Sequence, residues 1–140
     1  MASNVLVRDI MSKDVKVVRN DTSVQEVVAT MNKYDKDAIL VVQSGKPTGI
    51  ITVKDLLIRA VEAGMPLGSI IARMVYTNPL VTIEETATVE EAAKLMKHWQ
   101  IKHLPVVDKQ GCLLGMLNDR DIVYSVPSLM STMEEFCRTK

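Results

Sequence analysis

Two cysteines occur in the 140 residues, Cys112 and Cys137, and they form no Cys-x-x-Cys pair. That removes support for zinc-ribbon and thioredoxin-type chemistry, and no disulfide is expected inside a cell. The chain also lacks charge of one sign: 17 Lys and Arg balance 17 Asp and Glu. A protein built around polyanionic DNA or RNA carries a basic excess, so the net charge argues against nucleic acid as a partner. Long apolar runs are missing too. The longest, residues 38–42, is far too short to span a bilayer. Arg8 and Asp9 stand where a signal peptide would need its apolar core, so a cytoplasmic location without membrane insertion is expected.

The signatures of common catalytic sites are absent as well. There is no Gly-x-Ser-x-Gly, His-Glu-x-x-His, Gly-x-Gly-x-x-Gly or Walker lysine motif. The two histidines, His98 and His103, fall in different expected elements, leaving no nucleophile with an adjacent base. No enzyme, catalytic residue, metal site or required cofactor is therefore expected.

What is present reads as a folded domain. Hydrophobic residues make up 47% and charged residues 24%, a balance that favours a core over disorder. The length allows one compact unit or two small halves sharing a core. One stretch stands out, Gly49-Ile50-Ile51-Thr52-Val53-Lys54-Asp55, a short apolar strand turning directly into a helix. Thr-x-x-Asp is a capping box, and the helix start it makes is also expected to attract anions. Gly115-Met116-Leu117-Asn118-Asp119-Arg120-Asp121 repeats the glycine, the two apolar residues, the capping residue and the Asp.

The echo extends through the chain. At an offset of 65, Val24, Val27, Val28, Met31 and Tyr34 match Val89, Ala92, Ala93, Met96 and Trp99. Both sets follow the spacing of an amphipathic helix, and each is preceded by a start signal, Ser23-x-x-Glu26 or Thr88-x-x-Glu91. Buried strands follow at 39–42 and 104–107, closed by turns at 44–47 and 108–111. Extended pieces are expected at 15–18 and 80–83, short helical pieces at 6–11 and 67–74, and closing helices at 55–63 and 119–126. Each unit reads strand–helix–strand–strand–helix: residues 5–63, a linker at 64–66, and residues 67–126. The apolar spacing in the tail, 127–140, suits one more amphipathic helix.

These features resemble the CBS domain pair, or Bateman module, in its stand-alone two-repeat form. The two Gly-h-h-(Thr/Asn)-x-x-Asp stretches carry the resemblance, with Ile101-Lys102-His103-Leu104-Pro105-Val106-Val107 and the repeat order. It implies an α/β (α+β) fold of two pseudo-twofold-related repeats, each with a small mixed sheet. It also implies binding of AMP, ADP, ATP or S-adenosylmethionine in clefts built crosswise from both repeats. Site A would combine Thr52 and Asp55 with Val81, Lys102 and His103. Site B would combine Asn118, Arg120 and Asp121 with Lys16, Asp37 and Ala38. A carboxylate is acceptor-only and can receive both ribose hydroxyls, which suits Asp55. Asn118 in place of Thr or Ser, and Asp37 where a cation would suit a phosphate, make site B the weaker of the two.

Each residue also has an ordinary structural explanation. Many capping boxes open helices that bind nothing. His103 fits a half-buried strand histidine, Lys102 a solvated strand edge, and Arg120 a salt bridge to Asp119 or Asp121. Two functions follow: a nucleotide-sensing regulator acting in trans on a protein effector, or a structural homodimerisation and adaptor module with no nucleotide. Both include a homodimer, because the apolar arcs at 56–61 and 122–126 are wider than one internal face needs.

Overall fold

Short apolar runs alternate with capped helical stripes, and the chain follows that pattern closely. The computed structural model describes residues 5–77 and 80–125. In order the elements are α1 (Val7–Ile10), β1 (Val17–Val18), α2 (Val24–Tyr34), β2 (Ala38–Gln43), β3 (Lys46–Thr52) and α3 (Val53–Asp55). A π-helical turn (Leu56–Ala60) runs into α4 (Val61–Ala63), followed by 3₁₀ turns at Leu67–Ser69 and Ala72–Met74. Then come β4 (Ile83–Glu84), α5 (Val89–Trp99), β5 (His103–Val107), β6 (Leu113–Asn118) and α6 (Asp119–Ser125). The expected tail helix, Val126 and Cys137 lie outside the described residues.

Two compact units result. Among the described residues, the first comprises 14–77, 80–81 and 110–113, and the second 5–13, 82–109 and 114–125. The first unit holds a three-stranded sheet in the order β1-β2-β3, with β1 parallel and β3 antiparallel to β2. The second has the order β4-β5-β6, with β4 parallel to β5. The expected α+β class with two small mixed sheets is therefore what the chain forms.

Capping sets both long helices. The Ser23 hydroxyl accepts from the Glu26 N–H at 3.1 Å and the Thr88 hydroxyl from the Glu91 N–H at 3.1 Å, each worth about 1 kcal/mol. Both helices stop on a left-handed residue, Asp35 and Gln100, each at φ 53°. The buried stripes are narrower than expected. Val24, Val27 and Met31 are buried on α2, as are Val89, Ala92 and Met96 on α5, whereas Val28, Tyr34 and Trp99 are exposed.

The hairpin between β2 and β3 turns through Ser44 (φ 53°) and Gly45 (φ 78°), positive at both positions as a two-residue type I′ turn requires. Lys46 and Pro47, expected in the turn, are already in β3. Pro47 is tolerated there because the register shifts between Val41 and Val42, and Pro47 sits opposite Val42.

Each unit is completed by the segment that precedes the other repeat in sequence. Ile70, Ala72 and Val75 join Val24, Val27, Ile39, Val41 and Ile51 in the first core. The Val24 N–H donates to the Ile70 carbonyl, the Ala72 N–H to Thr22, and the Thr77 N–H to Ile50. In the second unit the N-terminal segment does the same: the Val7 N–H donates to Ala87 and the Ser12 N–H to Met116. The helix expected at 67–74 is thus a pair of 3₁₀ turns, the first packed on α2, and Tyr76 and Thr77 beyond them meet β3.

Candidate functional site

Thr52 and Asp55 build the reciprocal capping box that the sequence implies. The Thr52 N–H donates to Asp55 Oδ2 at 2.8 Å, the Thr52 hydroxyl donates to the same oxygen at 3.0 Å, and the Asp55 N–H donates back to Thr52 Oγ1 at 3.3 Å. Asn118 and Asp121 repeat the arrangement. The Asn118 N–H reaches Asp121 Oδ2 at 2.9 Å, and the Asp121 N–H reaches Asn118 Oδ1 at 2.9 Å.

Two groups near Asp55 were not singled out in the sequence. The Thr77 hydroxyl lies 3.1 Å from Asp55 Oδ1 and 3.3 Å from Oδ2. Arg59 places Nε 4.0 Å from Oδ1, while its Nη1 donates to the Tyr76 carbonyl at 2.6 Å and approaches that of Val75 at 3.4 Å. Only 12% of the Asp55 side chain is exposed. Thr77 could have been found from the repeat, since Ser12, also a hydroxyl, stands at the same offset before the first unit. Arg59 could have been found as the i+4 neighbour of Asp55.

The helix starts differ from the expectation of outward-facing N–H groups for an anion. Among these donors, the Val53 N–H is taken by the Asp37 carbonyl at 3.2 Å and the Asp55 N–H by Thr52. At α6 the Asp119 N–H is taken by the Lys102 carbonyl at 3.0 Å, the Arg120 N–H by Asp119 Oδ1 and the Asp121 N–H by Asn118. Caps and the carbonyls just before β2 and β5 satisfy these donors, so charge for a phosphate falls to side chains. Gly49 also differs. Its missing side chain leaves no room for a ligand, because the Tyr76 side chain fills the space above it.

The remaining candidates divide by unit. Thr52, Asp55, Val81, Lys16, Asp37 and Ala38 belong to the first, and Lys102, His103, Asn118, Arg120 and Asp121 to the second. Asp37, Lys102 and Arg120 are exposed, whereas Val81, Ala38 and His103 are half-buried. Lys16 is already engaged. Its Nζ is 3.0 Å from Asp14 Oδ1 and 4.1 Å from the centre of the Tyr34 ring. Lys16 first, and then Lys36 at 3.5 Å, hold the Asp14 carboxyl below its ordinary value. A shallow groove of about 480 Å³ between β1 and α2, lined in part by Val17, Arg19, Glu26, Thr30 and Lys33, contains none of the candidate residues. Among the described residues no helix is long and apolar enough to cross a membrane.

Comparison with known proteins gives the same pattern of repeats. The sequence profile of the CBS domain matches residues 7–62 and 64–128. An uncharacterised protein of Methanopyrus kandleri is 34% identical over 133 residues, covering 94% of this chain and 68% of its own length. A CBS domain-containing protein of Dictyostelium discoideum is 32% identical over 130 residues, covering 85% of this chain and 89% of its own. Among solved structures, a CBS domain pair in complex with 5′-methylthioadenosine and S-adenosyl-L-methionine is similar with a TM-score of 0.77 at 25% identity. The match covers 88% of this chain and 96% of that one.

Proposed function

The chain belongs to the CBS domain family, and from that premise we propose that it is a regulatory module that binds an adenosine-containing ligand and acts in trans on a partner protein. The observation that carries this reading is the pair of capped carboxylates, Asp55 and Asp121, held by matching hydrogen bonds at matching places in the two repeats. Each can accept the hydroxyls of a ribose. AMP, ADP, ATP and S-adenosylmethionine all supply that ribose, and a similar CBS domain pair has been crystallised with two adenosine-type ligands.

Asp55 is assigned to the ribose of site A, with Thr52, Val81, Lys102 and His103 as its further ligand residues. Asp121 is assigned to the ribose of site B, with Asn118, Arg120, Lys16, Asp37 and Ala38. No catalytic step is assigned to either. We also propose a homodimer through the helix that runs from α3 to α4, where Val53, Leu57, Ile58 and Val61 are exposed.

That same apolar face favours a second reading, a dimerisation and adaptor module with no nucleotide. Thermal unfolding in the presence of AMP, ADP, ATP, S-adenosylmethionine and GTP separates the two. A binder should rise by about 5–10 °C at a hundredfold excess over Kd with one or more adenosine compounds and not with GTP. An unfolding temperature unmoved by all of them would leave the adaptor reading.

A further inference from the structure

The Asp55 carboxylate is crowded before any ligand arrives. Oδ2 accepts from the Thr52 N–H, the Thr52 hydroxyl and the Thr77 hydroxyl, at 2.8, 3.0 and 3.3 Å. The single Thr77 hydroxyl hydrogen is shared with Oδ1, at 3.1 Å, and Arg59 Nε lies 4.0 Å from that oxygen. Three hydrogens thus stand on about four lone-pair sites, so a ribose diol can add one hydroxyl freely but not both without displacing a donor already there.

The donors differ in how easily they leave. The two from Thr52 form the capping box, and removing them would open the start of α3. Arg59 is tied to the segment that carries Thr77, through Nη1 on the Tyr76 carbonyl at 2.6 Å. The Thr77 hydroxyl can leave alone. A turn about its Cα–Cβ bond releases Asp55 while the Thr77 N–H stays on the Ile50 carbonyl at 2.8 Å.

We propose that the Thr77 hydroxyl is a built-in competitor for the ribose at Asp55, so that a residue outside the ligand set fixes the affinity of this carboxylate. The proposal rests on the nucleotide-binding reading above. An adenosine ligand that sets both ribose hydroxyls on Asp55 must displace an internal hydrogen bond, which lowers affinity by the net value of that bond. Arg59 keeps the segment in place meanwhile, so the competing hydroxyl stays within reach and re-forms its bond when the ligand leaves. The position that matches Arg59 in the second repeat is Ser125, whose hydroxyl donates to the Ile122 carbonyl at 2.7 Å. The arginine tie therefore belongs to the first repeat.

The test is calorimetric titration of AMP into the full chain, into Thr77→Val and into Thr77→Ser, all in an Asp121→Ala background that isolates the Asp55 site. Valine keeps the shape of threonine and removes the hydroxyl. Thr77→Val should bind AMP about three- to tenfold more tightly, the net value of one hydrogen bond, and Thr77→Ser should match the parent. The gain should vanish with 2′,3′-dideoxyadenosine monophosphate, which has no diol to compete. Unchanged or weaker AMP binding by Thr77→Val, with the parent binding normally, would overturn the competition alone. Absence of AMP binding by every chain, including the one with Asp121 intact, would overturn the nucleotide reading and the competition with it.

Discussion

The Tyr76 side chain occupies the space that any side chain at Gly49 would need. A methyl group there would collide with the base of the ring rather than its flexible end. Gly115 is closed in the same way: an added Cβ would lie 2.7 Å from the Ser12 carbonyl and 2.8 Å from the Met11 sulfur. Tyr76 and Met11 stand at the repeat offset, so in both units the segment preceding the other repeat presses on the motif glycine.

Gly49→Ala and Gly115→Ala should therefore each destabilise the chain by about 1–3 kcal/mol, as overpacking does. Urea unfolding measures it. The larger loss is expected at Gly115, where the obstacle includes backbone, and a neutral Gly115→Ala would contradict the packing described.

The same exchange of segments decides where the chain can be cut. A fragment ending at residue 64 loses Ile70, Ala72 and Val75 from the first core. A fragment of residues 14–81 keeps them. Circular dichroism during heating should show a cooperative transition for 14–81 that 1–64 lacks, and equal behaviour of the two would count against the shared packing.

Much of this was legible in the sequence, and for local reasons. The α2 and α5 helices follow from 3.6-residue periodicity plus a hydroxyl cap, which act within a few residues of each other. The capping boxes at Thr52 and Asn118 are equally local. Tertiary contacts decided the rest. β1 is confined to Val17 and Val18, and β4 to Ile83 and Glu84, because a strand extends only as far as its neighbour pairs with it. Residues 67–74 look helical in isolation but become 3₁₀ turns against α2. The bond from Thr77 to Asp55 spans 22 residues, beyond any local pattern.

Lys16 gives a prediction in charge. Its partner Asp14 neutralises it, so Asp14→Asn should free the ammonium for a phosphate. Binding of AMP should then tighten about two- to fivefold, the scale of one screened charge, while binding of adenosine stays the same. The pH dependence has a definite sign. The Asp14 carboxyl sits below its ordinary 3.8 in the folded chain, so its stabilisation is complete above that value and is lost as pH falls below it. Asp14→Asn should remove that part of the acid-side loss, as read from unfolding curves between pH 5 and about pH 2.

The proposed dimer rests on Leu57 and Val61, each 69% exposed. Leu57→Glu with Val61→Glu places two carboxylates on that face and should leave the fold intact. Light scattering at micromolar concentration should read twice the 15.5 kDa chain mass for the wild type and the chain mass for the variant. A wild-type chain that is monomeric at that concentration would contradict the dimer.

Whether the capped carboxylates hold the ribose is best tested by calorimetric titration of AMP and ATP into the wild type, Asp55→Ala and Asp121→Ala. Removing a hydrogen bond to a charged group costs about 1.5–3 kcal/mol, so the affected site should weaken more than tenfold. Asp55→Ala should abolish the tight phase and Asp121→Ala should spare it, because site B as proposed would set Asp37 against a phosphate and has an Asn amide in place of the Thr52 hydroxyl. Loss of the tight phase in Asp121→Ala alone, or unaltered binding in both variants, would contradict the assignment.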